Sequence, residues 1–137
     1  MQEHWPAHLP AVQVRVARPT NHLDEVVRFY RDGLGLTVIG SFEEHAGYTG
    51  VMLGLPGHAY HLEFTQHAEG SDCPAPTKDN LLVFYIPNRD AIEQLVARLG
   101  RMGYVPVLPE NPYWHTSGTT IEDPDGWRIV LMNTGGM

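Results

Sequence analysis

Near the start of the chain Val12, Val14 and Val16 alternate with Ala11, Gln13 and Arg15. A period of two with one apolar face predicts a strand over 11–16. Pro19-Thr20-Asn21 breaks it and offers capping oxygens for a helix. Leu23, Val26, Val27, Tyr30 and Leu34 then recur at the spacing of one helical face. Asp24 and Glu25 suit the positive N-terminal end of that helix, and Gly33 and Gly35 can supply the left-handed residue that ends it. Three more strands are predicted over 36–42, 48–53 and 59–65, with breaks at Gly47, Gly54 and Gly57. A polar stretch holding Gly70, Pro74 and Pro76 reads as a connector over 66–80. The order then repeats. A strand over 81–86 meets Pro87-Asn88, and Ile92, Leu95, Val96, Leu99 and Met102 form a second amphipathic helix that Gly103 ends. Strands follow over 104–108, 116–123 and 127–133.

The chain thus holds one unit twice: strand, helix, three strands, over 11–65 and again over 81–133. Gly35-Leu36-Thr37-Val38 answers Gly103-Tyr104-Val105-Pro106, and His61-Leu62-Glu63-Phe64 answers Arg128-Ile129-Val130-Leu131. The predicted fold class is α+β, a single domain in which two repeated βαβββ modules form a cupped mixed β-sheet with helices on the outer face. Alternation then assigns faces. Val12, Val14, Val16, Leu62, Phe64, Leu82, Phe84, Ile86, Ile129 and Leu131 look toward the helices. Gln13, Arg15, His61, Glu63, Tyr85 and Arg128 look the other way, among Val83, Val130 and Met132. A few polar groups set in apolar walls suit a concave ligand pocket, or a face covered by a partner chain.

Composition narrows the function classes. In 137 residues the apolar fraction is 42% and the charged fraction 18%, which describes a folded chain with a sizeable core. The formal charge of −7 argues against a nucleic-acid partner, which needs clustered Lys and Arg. No run approaches the length of a membrane span, and the N-terminus lacks the basic flank and apolar run of a secretory signal. The expectation is a cytoplasmic protein without membrane or nucleic-acid partners. The single cysteine, Cys73, excludes an intramolecular disulfide and a cysteine-built zinc site, and reads as an incidental loop thiol.

The run from Val14-Arg15-Val16-Ala17 through Leu23–Leu36, with its Phe29-Tyr30-Arg31-Asp32-Gly33-Leu34-Gly35-Leu36, resembles the first half of the vicinal-oxygen-chelate superfamily. Glu122-Asp123-Pro124-Asp125-Gly126-Trp127-Arg128-Ile129 resembles that superfamily's terminal turn and last strand. The likeness spans about 12–133 and is nearest to small bacterial proteins of the glyoxalase, bleomycin-resistance and dioxygenase type. It implies paired βαβββ modules, usually in a homodimer. It also implies either a divalent metal acting as Lewis acid in an enzyme or a cup that sequesters a small molecule.

The resemblance implies four metal-ligand positions, which fall here on Ala11, Glu63, Leu81 and Val130. Only Glu63 offers a lone pair. This favours a non-enzymatic binding protein with no metal or other cofactor. Its ligand would be a small aromatic or amphipathic molecule held by Gln13, Arg15, His61, Glu63, Tyr85, Tyr113, Trp114 and Arg128. The alternatives are a metal-dependent lyase, isomerase or dioxygenase with displaced ligands His61, Glu63 and His115, or a metal-free enzyme in which Glu63 is the catalytic acid–base group. Glu63 could equally pair with Arg15 or Arg128, and Arg15 could hold a ligand carboxylate or phosphate through its planar fork. Tyr113 and Trp114 could cover a ligand or anchor a dimer. Asp123-Pro124-Asp125-Gly126 reads as a turn.

Overall fold

A computed structural model describes residues 5–137. The first module contains β1 (Val14–Pro19), α1 (Leu23–Arg28), β2 (Thr37–His45), β3 (Tyr48–Gly54) and β4 (Tyr60–His67). The second contains β5 (Leu81–Tyr85), α2 (Arg89–Arg101), β6 (Pro106–Val107), β7 (Gly118–Glu122) and β8 (Arg128–Met132). The strands form two separate four-stranded mixed sheets, ordered β1-β4-β3-β2 and β5-β8-β7-β6. In each, the module's first strand runs parallel to its last, and the remaining pairs are antiparallel.

Several boundaries move for identifiable reasons. The first strand starts at Val14, not Ala11, because the Val14 N–H is the first to join the sheet, donating to the Ala59 carbonyl at 2.6 Å. It runs on through Pro19, which an edge strand tolerates because its missing N–H would face away from β4. The predicted side-chain cap on α1 is absent. Thr20 Oγ1 accepts from the His22 N–H, and the Leu23 N–H donates instead to Gln66 Oε1 of β4 at 2.8 Å. Asn21 turns to the connector and exchanges hydrogen bonds with Ser71. After Arg28 the helix widens into a π turn over Phe29–Gly33, and Gly35, at φ 95°, makes the exit. At α2 a side chain does cap the helix: Asn88 Oδ1 accepts from the Ala91 N–H at 3.2 Å.

One core serves both modules. Val26, Phe29, Tyr30, Leu53, Leu62 and Phe64 of the first pack in a continuous cluster with Leu99, Ile121, Ile129 and Leu131 of the second. Val12 and Val16, predicted to face the helices, do not join it. Val12 precedes the sheet and is 89% exposed, and Val16 lies on a free edge. The helices meet at Gly33, where a Cβ would lie 2.5 Å from Leu99 Cδ2; Arg98 Nε donates to the Gly33 carbonyl at 2.8 Å. The glycine is there for close approach of two helices, not for a left-handed turn.

Candidate functional site

Parallel pairing of β1 with β4 sets Arg15 opposite His61 and Ala17 opposite Glu63. Cα partners in a parallel ladder share a face, so Arg15 meets both polar side chains of β4. Its Nε donates to His61 Nε2 at 2.8 Å and its Nη1 to Glu63 Oε2 at 3.3 Å. Because Nε2 is the acceptor, the neutral imidazole carries its proton on Nδ1. That Nδ1 is buried and has no hydrogen-bond partner. His61 and Glu63 are 3% and 9% exposed, while the Arg15 side chain is half-exposed. Gly54 of β3 makes room beside the histidine, since a Cβ there would lie 2.9 Å from His61 Cβ. The cluster therefore joins two sunken polar groups to a guanidinium that reaches solvent.

The strands alternate, so Leu62 and Phe64 point to the opposite face and into the core. At the start of β4, His61 also borders an apolar cavity of about 280 Å³, lined by Leu36, Leu53, Leu55, Leu62, Leu82 and Phe84 among others.

The other sequence-predicted residues do not converge on this cluster. Gln13 is exposed ahead of β1, its Nε2 3.5 Å from the His58 carbonyl. Arg128 belongs to the second sheet and is held within its own module, donating to Glu122 Oε2 at 3.0 Å and to the Leu108 carbonyl at 2.9 Å. Of the two partners the sequence allowed Glu63, the structure takes Arg15. Tyr85, at the end of β5, is exposed and packs against Gly136. Tyr113 is 67% exposed on a short 3-10 turn and stands edge-on to Trp114, with ring centroids 5.0 Å apart.

A metal fits this donor set poorly. Ala11, read as the first ligand position, lies ahead of β1; the β1 residues level with His61 and Glu63 are Arg15 and Ala17. Neither side chain can coordinate a cation. The lone pairs that His61 and Glu63 would offer are turned to a guanidinium already carrying positive charge. His115 does not complete the displaced set, for among the described residues no three His, Cys, Asp or Glu side chains cluster closely enough to hold an ion.

Sequence reasoning missed the residues that lock the two modules together. Asp123, in the turn after β7, is fully buried and pairs with Arg18 of β1. The same Oδ2 accepts from the Tyr30 hydroxyl at 2.7 Å, and Oδ1 accepts from the N–H groups of Asp125 and Trp127 at 2.9 and 3.0 Å. Arg18 lies against the Phe64 and Trp127 rings, its Cζ 4.8 and 4.6 Å from their centroids. Burial, and then the negative charge of Asp123, push the Tyr30 hydroxyl well above its usual pKa. The Asp-Pro-Asp-Gly signal marked the turn, but nothing in the local sequence around Arg18 marked its partner 105 residues away.

The repeated βαβββ units and their paired parallel edges define a vicinal-oxygen-chelate fold of the glyoxalase and fosfomycin-resistance type. Within it the chain belongs to the YycE-like family: residues 14–65 match the YycE-like N-terminal domain and residues 79–133 the YycE-like C-terminal domain. It is 57% identical over 127 residues to the uncharacterized protein YycE of Bacillus subtilis (strain 168), covering 93% of this chain and 91% of that protein. A crystal structure of a Bacillus subtilis YycE protein superposes with a TM-score of 0.92 at 53% identity over 98% of each chain. The trypanothione-dependent glyoxalase I of Leishmania major shares the fold, with a TM-score of 0.70 at 21% identity over 88% of this chain and 85% of that one.

Proposed function

We propose that this protein binds a small, amphipathic molecule on the sheet face at Arg15, His61 and Glu63, without the metal ligands of its enzymatic relatives. One observation carries the reading. A half-exposed guanidinium is held by two buried polar side chains, and one of them, His61, keeps an unpartnered donor. Buried polar groups normally find partners, so this unpartnered N–H donor marks the cluster as incomplete by itself. Two of the three Arg15 nitrogens are engaged by protein, which leaves Nη2 for a carboxylate or phosphate oxygen. The crystallised Bacillus subtilis relative is described as of unknown function and assigned provisionally to the glyoxalase/fosfomycin resistance proteins, which accords with a small polar ligand.

Titration calorimetry against a panel of aromatic and aliphatic carboxylates and phosphonates tests this. A binder should emerge whose affinity falls roughly 10- to 100-fold in Arg15→Ala, the worth of one hydrogen bond to a charged group. A ligand indifferent to Arg15 and His61 would move the site elsewhere. We also propose that the protein works as a homodimer. The edges of β1 and β5 each pair on one side only, and Val16, Leu55, Tyr60 and Tyr85 are exposed.

A further inference from the structure

We propose that the Arg15 guanidinium is the resident cation of this site and keeps divalent metals out of it. The position matters more than the charge alone. Strand register puts Arg15 level with His61 and two residue pairs from Glu63, the next position on that face, so its guanidinium lies between an imidazole nitrogen and a carboxylate oxygen. Those two atoms carry lone pairs that a metal on this face would use. Arg15 uses both, through Nε at 2.8 Å and Nη1 at 3.3 Å. A guanidinium stays charged at every physiological pH, so it cannot leave by losing its proton as a lysine could. A metal entering here would have to displace a tethered cation from Glu63 and bring two positive charges together. The fixed cation also satisfies Glu63 internally, so a buried carboxylate is kept without an ion from solution. The electrophile offered to a ligand oxygen is then Nη2, a hydrogen-bond donor of fixed direction, rather than a Lewis acid.

The inference rests on the proposed site but is tested without its ligand. Co²⁺ is titrated into the full-length protein and followed by visible absorption, which reports inner-sphere nitrogen and oxygen donors. The wild type should show no absorption that depends on Glu63. Arg15→Ala frees both side chains and should bind Co²⁺ at least tenfold more tightly than the wild type, and the added Glu63→Gln should abolish the gain. Arg15→Gln, which retains bulk and hydrogen bonding but not charge, should behave as Arg15→Ala does, guarding against a packing defect in the smaller variant. A stoichiometric wild-type Co²⁺ site lost in Glu63→Gln would overturn the proposal. So would Arg15→Ala and Arg15→Gln variants, folded by circular dichroism, that gain no metal. Failure of the carboxylate and phosphonate titrations would leave this metal result standing, so the two readings fail separately.

Discussion

Asp123 receives four hydrogen bonds on two oxygens, from a guanidinium, a phenol and two backbone amides, with no exposed surface. Removing one side of such a buried pair strands the other charge. Asp123→Ala should therefore cost about 3–5 kcal/mol, read by urea denaturation. The same arrangement sets an alkaline limit. The Tyr30 hydroxyl is raised above its ordinary value of 10.0, first by burial and then by Asp123. In the unfolded chain it ionises at its ordinary value, while the folded protein still holds the proton. Its contribution is thus fully present below about pH 10 and is lost as pH rises toward the folded value. Stability should fall above pH 10, and Tyr30→Phe should reduce that slope in denaturation curves taken from pH 8 to 11.

At the scale of elements, Gly33 is where the two helices join. A methyl there would press on Leu99, which is itself fully buried, so Gly33→Ala should destabilise by about 1–3 kcal/mol by thermal denaturation. The periodicities show why the elements were legible and their ends less so. Alternation and 3.6-residue spacing record burial, and both helices and most strands of the two modules lie where those periods place them. Strand ends depend on hydrogen bonds to neighbours distant in sequence. A period of two gave the correct face for Arg15, His61 and Glu63, because Ala11 and Arg15 share parity. It could not say which of the two stands level with His61; only the β1–β4 register does so. The cap on α1 was invisible for the same reason, since Gln66 lies 43 residues away from Leu23.

For the whole molecule, the bonds that join the modules come from the core side, through Arg18 to Asp123, Tyr30 to Asp123 and Arg98 to Gly33. The polar groups on the other face stay within their own modules, Arg15 with His61 and Glu63, and Arg128 with Glu122. On the proposed homodimer a second chain would cover these faces. Sedimentation equilibrium should give twice the 15.3 kDa chain mass, and charged replacements at Val16 and Tyr60 together should return the monomer.

The clasp between Arg18 and the turn at Asp123 has a consequence for how the two halves depend on each other. The first strand of the opening half, already laddered to its own module, is fastened a second time only when the final hairpin of the closing half has formed, so nothing short of nearly the whole polypeptide supplies both jaws. The two repeats share one interior, and cutting the tether between them would leave two complementary pieces rather than two small proteins.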